Sequence, residues 1–152
     1  MFDVRPDDLS GEQTRKLLKL HLTEMHANSP PGSVYALDLT GLRAPDVAVW
    51  TAWRTDRIAG VGALKMRQGQ TAEVKSMRTH PAFTRMGVGA ALLETIIAAA
   101  RKRGVRRLSL ETGSGEAFEP ALALYRRRGF INGSAFSEYQ QSDFNQFLHL
   151  EL

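Results

Sequence analysis

Cysteine is missing altogether from the 152 residues. That excludes disulfides and a thiolate nucleophile, and it suits a reducing compartment, so a cytoplasmic location is the expectation. No apolar run approaches the length of about 20 residues that a membrane-spanning helix needs. The opening Met1-Phe2-Asp3-Val4-Arg5-Pro6 also lacks the basic-then-apolar order of a secretory signal. Neither a repeat, a low-complexity tract nor a long linker divides the chain, which reads as one domain over residues 1–152. Zinc-finger spacing, an aromatic RNA-binding signature and a basic zipper are absent as well, and no set of residues has metal-ligand spacing.

What is present in excess is positive charge: +4 overall, with a pI near 9.8. Its placement argues against nucleic acid as a partner. Arg101, Lys102, Arg103, Arg106 and Arg107 flank one helix end, and Arg126, Arg127 and Arg128 close another. Cations there complement the helix dipole, and some of that charge is available to attract an anionic ligand.

The pattern of elements is α+β. Phe2 to Arg5 forms a short strand stopped by Pro6, and Leu9 to Ala27 carries an apolar helical face capped by Ser10. Pro30-Pro31-Gly32 breaks that helix, and Val34 to Leu42 fits a short helix without demanding one. Val47–Thr55, Ile58–Arg67 and Thr71–Thr79 read as an antiparallel meander, with Asp56-Arg57 and Gln68-Gly69-Gln70 as turns and Gly60 and Gly62 marking bulges or close contacts. After Pro81 the period changes to 3.6. Gly87–Arg103 is a helix closed by Gly104, Arg107–Thr112 a strand, Phe118–Arg128 a second helix closed by Gly129, and Phe144–Leu152 a last strand.

The most informative segment is Thr84-Arg85-Met86-Gly87-Val88-Gly89-Ala90, between a strand and the strongest helix. Glycines there let successive N–H groups approach a bulky anion, and the helix start adds unsatisfied N–H groups and a positive dipole end. Without a Gly-Lys-Ser/Thr this is no ATP-binding loop, and a dinucleotide fold would place its glycines after the first strand rather than after a meander.

On these residues the chain resembles the GNAT N-acetyltransferase family, whose signature is Gln/Arg-x-x-Gly-x-Gly/Ala. Here Thr84 stands where the family has Gln or Arg. A second family element, Asn-x-x-Ala-x-x-Leu-Tyr-x-x-x-Gly-Phe, reads here from Phe118 through Ala121, Leu124-Tyr125 and Gly129-Phe130, with Phe118 in place of Asn. The resemblance implies a mainly antiparallel sheet of six to seven strands, helices on both faces, and a splayed strand pair that admits acetyl-CoA. It assigns the pyrophosphate to the backbone of Thr84, Arg85, Met86, Gly87, Val88, Gly89 and Ala90, and the pantetheine arm to Met77 and Thr79. Tyr125 becomes the acid that protonates the leaving thiolate.

Acetyl transfer to an amine also needs a base. Glu73 and Glu111 compete for that role, with the edge given to Glu73; His26 and His80 are minor candidates. Until a bulge alters the count, Glu73, Lys75 and Met77 share one strand face. His26, Ser29, Tyr35 and Arg78 are the expected acceptor contacts. The expected acceptor is a primary amine of a small metabolite, the alternatives being a protein N-terminus or lysine, or a non-catalytic acyl-CoA sensor. No metal is expected, and the terminal strands leave a homodimer open.

Overall fold

The structure, a computed structural model, describes all 152 residues. Seven strands form one sheet in the order β1-β2-β3-β4-β5-β7-β6. They are β1 (Asp3–Pro6), β2 (Val47–Arg54), β3 (Arg57–Met66), β4 (Thr71–Thr79), β5 (Arg107–Thr112), β6 (Ile131–Asn132) and β7 (Gln146–Glu151). Every neighbouring pair is antiparallel except β4 and β5. Helices α1 (Glu12–Ala27) and α2 (Leu39–Leu42) cover one face; α3 (Val88–Lys102) and α4 (Glu119–Arg128) cover the other.

The core divides accordingly. Leu92, Leu93, Ile96 and Ile97 of α3, at helical spacing, pack with Leu64, Val74, Leu108, Leu110 and Leu148 of the sheet. Leu17 and Leu18 of α1 pack with Val49, Ile58, Val61 and Ala63 on the opposite face. No helix is long and apolar enough to cross a membrane.

Local chemistry shifts some expected boundaries. Ser10 does not cap α1: its hydroxyl donates to the Asp8 carboxylate at 2.6 Å, and Gly11 occupies the cap. Asp7 instead ties the helix start to the sheet, accepting from Thr14 Oγ1 at 3.1 Å and Thr51 Oγ1 at 2.9 Å. Between Val34 and Leu42 only the last four residues are helical, started by Asp38, whose carboxylate accepts from Gly41 N at 2.8 Å. Ile131–Asn132 is an added two-residue strand, too short for alternation to reveal.

The feature that positions the site lies in β4. Opposite it on β3, Ala63 pairs with Lys75 and Val61 with Arg78, so Ser76 and Met77 together face the single residue Gly62. This bulge places Ser76 at φ 57. Side chains change faces across it. Glu73 and Lys75 point to the α1 side, whereas Met77 packs on the α3 side against the space above Gly62, and Arg78 returns to the α1 side to reach His21. The shared face expected for Glu73, Lys75 and Met77 therefore ends at the bulge. On its other edge β4 pairs with β5 only through Thr71–Arg107, Ala72–Leu108 and Glu73–Ser109. Beyond Glu73 the two strands part, which is the expected splay.

Gly60 and Gly62 are where α3 comes down on the sheet. A Cβ at Gly60 would lie 2.5 Å from Val88 Cγ1 and 2.9 Å from Leu92 Cδ1, both in the core. Gly60→Ala should cost about 1–3 kcal/mol by overpacking, seen as a lower urea midpoint with an unaltered slope. A midpoint equal to that of the wild type would contradict this packing.

Candidate active site

A cleft of about 680 Å³ opens at the splay, walled by β4, β5, the start of α3, the length of α4 and the Ser29–Ala36 loop. At one end lies the glycine segment. Arg85 and Gly87 have positive φ, 62° and 85°, and the first intrahelical bond of α3 runs from Ala91 N to Gly87 O at 3.1 Å. None of the backbone N–H groups from Thr84 to Ala90 has a backbone partner. A train of unpaired donors at a helix start is a site for a polyphosphate. Gly89 must stay small, because a Cβ there would sit 2.9 Å from Leu124 Cδ2.

Side chains contribute less at this end. Thr84 and Arg85 are exposed at the cleft rim, while Met86 is 50% exposed and its side chain lies outside the lining. Phe118, where the family pattern has Asn, is buried with its ring edge-on to Phe144 at 5.4 Å. That position forms an apolar floor.

Tyr125 lies on the inner face of α4, edge-on to Phe130 at 5.7 Å. It lines the cleft, and burial alone pushes its hydroxyl well above the usual phenol range. The proton therefore stays on the oxygen at neutral pH.

The two glutamates differ sharply. Glu73 is 1% exposed, and both of its oxygens are occupied. Oε1 accepts from Arg67 Nε at 3.0 Å and Nη2 at 2.6 Å, and Oε2 accepts from Lys75 Nζ at 3.2 Å and Tyr139 Oη at 2.5 Å. A carboxylate offers about four lone-pair positions, and these four donors take them up. Lys75 is equally committed: its other donors go to the Tyr35 carbonyl at 3.0 Å and to Tyr139 Oη at 2.6 Å. Glu111, by contrast, makes no ion pair. Burial raises its pKa to about 7, with Lys75 opposing and Glu73 adding to the rise; the Asn145 side chain also favours the charged form. It lines the cleft from β5, beyond the last β4–β5 pair.

The expected acceptor contacts are only partly brought together. Ser29, Tyr35 and Arg78 line the cleft, but His26 is exposed and lies outside it. His80 is taken up locally, its Nδ1 accepting from Ala82 N at 3.0 Å. The histidine that does reach the cleft is His21, 6% exposed and one turn earlier on α1. Burial first, and then the Arg78 charge, lower its pKa to about 3. No three His, Asp or Glu side chains gather closely enough to hold a metal ion.

Splay, unpaired donor train and cleft-facing tyrosine coincide with a sequence match. Residues 14–130 fit the profile of the acetyltransferase (GNAT) family. The chain belongs to that family. Among its GNAT relatives, the uncharacterized N-acetyltransferase YsnE of Bacillus subtilis (strain 168) is 44% identical over 149 residues, covering 98% of this chain and 99% of the relative. The uncharacterized N-acetyltransferase YedL of Escherichia coli (strain K12) is 39% identical, covering 100% and 96%. A Bacillus subtilis acetyltransferase solved in complex with CoA superposes with a TM-score of 0.74 at 21% identity, covering 100% of this chain and 99% of that one. This GNAT chain is thus an acyltransferase.

Of the side chains around Glu73, Tyr139 had no signal in the sequence, because it sits in an irregular segment with no periodicity. His21 was more accessible to reasoning, since it lies four residues after Leu17 on the apolar face of α1.

The Glu111 environment has a consequence for stability. Its folded pKa near 7 exceeds the ordinary value of 4.5, so the folded state binds that proton more tightly than the unfolded chain. The contribution is fully present below pH 4.5 and is lost as pH rises through 7. Glu111→Gln, which keeps the uncharged form, should gain roughly 1–3 kcal/mol over the wild type at pH 8 and nothing at pH 4. Thermal melts at the two pH values check this; equal melting temperatures at pH 8 would refute it.

Proposed function

We propose that this GNAT enzyme transfers the acetyl group of acetyl-CoA to a primary amine of a small molecule, with Glu111 as the base and Tyr125 as the acid. The observation that carries this reading is the pairing, across one splayed cleft, of an unpaired carboxylate poised near neutrality with a tyrosine that keeps its proton.

The residues present fit acetyl-CoA. The N–H groups from Thr84 to Ala90 suit its pyrophosphate, and the free edge of β4 from Ser76 to Thr79 suits the amides of its pantetheine arm, as an added strand would pair. Acetyl-CoA supplies an acetyl group activated as a thioester. Glu111 accepts a proton from the acceptor amine, directly or through water, as the nitrogen bonds to the acetyl carbon. A backbone N–H at the Ser76 bulge, where the register with β3 shifts, is the donor assigned to the negative charge that develops on the acetyl oxygen. Tyr125 gives its proton to the sulfur as the carbon–sulfur bond breaks, leaving free CoA and the amide. Tyr125 then regains a proton from solvent and Glu111 releases its own, which returns the enzyme to its starting state. Glu73, saturated by Arg67, Lys75 and Tyr139, serves as the charged floor beneath Glu111, not as the base.

Rates of CoA release with a panel of amines test the assignment. Tyr125→Phe should lower kcat about 10–100-fold, and Glu111→Gln should lower kcat/KM by about 100-fold or more. The wild-type profile should fall on the acid side with a limb near pH 7, and Glu111→Gln should lose that limb while Glu73→Gln keeps it at a lower melting temperature. A limb that disappears with Glu73→Gln and survives Glu111→Gln would reverse the two roles.

A further inference from the structure

The acetyl-transfer reading leaves open what the acceptor carries besides its amine, and Arg78 bears on that question. Most charge on the α1 side of the cleft is internally satisfied: Lys75 and Glu73 pair with each other, and Glu73 also with Arg67. Arg78 is the cation left out. Its Nε donates to His21 Nδ1 at 3.0 Å, and neither Nη nitrogen has a partner within the chain. No carboxylate lies within ion-pair distance of it; Glu24 on α1 acts only through longer-range attraction. Arg78 is nevertheless half-buried and lines the cleft.

A guanidinium withdrawn from water without a counter-charge is costly, and its planar fork matches a carboxylate in bidentate geometry. His21 reinforces this arrangement. Being buried and neutral, it offers only a lone pair at Nδ1, which steadies the Arg78 Nε and adds no negative charge to compete with a ligand. Arg85 and Arg127 also line the cleft, but both are exposed, one in the glycine segment and the other on α4.

On the same side of the sheet the free negative charge is Glu111. Since Glu73 pairs with Ser109, Glu111 is level with Lys75, and Arg78 follows three residues later with one of them taken up in the bulge. At about 3.3 Å per residue the two levels differ by roughly 7–10 Å. A cleft with a base for an amine and, a short span away, an unpaired guanidinium is complementary to a molecule bearing both an amine and an anion. We infer that the acceptor is a primary amine that also carries a carboxylate, an amino acid by chemical class, and that Arg78, oriented by His21, is the residue that binds this carboxylate. The inference rests on the acetyl-transfer reading for its amine end only.

Matched pairs test it: L-tyrosine with tyramine, L-lysine with cadaverine, and γ-aminobutyrate with propylamine. At least one carboxylated member should exceed its partner in kcat/KM by about tenfold or more. Arg78→Met should abolish that preference by raising KM for the amino acid, with KM for acetyl-CoA held within about twofold, and Arg78→Lys should restore part of the preference. Calorimetric binding of the same amino acids to the wild type and to Arg78→Met, in the presence of CoA, gives a readout independent of turnover. Turnover of amines without preference for the carboxylated member would overturn the inference and leave acetyl transfer standing. A rise in KM for acetyl-CoA in Arg78→Met would also overturn it, showing that the guanidinium serves the phosphates of CoA. Arg78-dependent amino-acid binding without turnover would support the carboxylate site and count against the acetyl-transfer reading. Absence of both binding and turnover would remove the inference.

Discussion

One extra residue in β4 governs the geometry of this molecule. Ser76, at φ 57, puts two residues of β4 opposite Gly62 of β3, which bends the strand and turns its outer edge away from β5. The ladder between β4 and β5 stops after three pairs, at Glu73, three residues before the bulge. From there β4 keeps its bonds to β3 on one side and exposes unpaired backbone on the other. The same residue reverses which side chains face which layer, so that Met77 joins the core under α3 while Arg78 turns towards α1. Ser76 itself is buried with a hydroxyl that has no partner. Unsatisfied buried polar groups are uncommon in stable folds, and this one lies at the mouth of the splay.

Around that opening, charge is distributed unequally. Beneath it, Glu73 collects four donors from Arg67, Lys75 and Tyr139, a network whose members would each be expensive to bury alone. Tyr139 also packs edge-on to Tyr35 at 5.0 Å, joining the irregular segment before β7 to the loop that borders the cleft. Two groups are left out of this economy: Glu111 on β5 and Arg78 on β4. Unlike Glu73 and Lys75, neither has an ion-pair partner, and both line the cleft. Glu73 and Glu111 have the same side chain and opposite circumstances, with four donors around the one and no ion pair at the other.

Much of this was legible from residue order. The Gly87-x-Gly89 step before a strongly amphipathic helix located the donor train, and Leu124-Tyr125 with Gly129-Phe130 located the inner face of α4, because both depend on local backbone and helical period. The strands other than β6 followed, in chain order, from turn residues and the switch in periodicity. What residue order could not rank depends on contacts distant along the chain. Glu73 and Glu111 could be separated only by knowing that Tyr139, 66 residues beyond Glu73, donates to it. His26 drew attention as a polar residue near a loop, yet it is His21 that the helix turns inward. Ser10 had the chemistry of a cap, but Asp8 lay closer to its hydroxyl. The bulge was foreseeable as a class of event, since Gly60 and Gly62 mark a close approach; its position at Ser76 was not, because nothing in that residue type favours positive φ.

The central claim is that the splay created at Ser76 is where acetyl-CoA binds, held by backbone donors more than by side chains. Titrating the isotopically labelled protein with acetyl-CoA and following its backbone amide resonances tests this most directly. The account predicts that the largest shifts fall on the amides of Thr84–Ala90 and Ser76–Thr79, and that they persist in an Arg85→Ala variant. Shifts concentrated elsewhere, with these two segments unmoved at saturation, would contradict it.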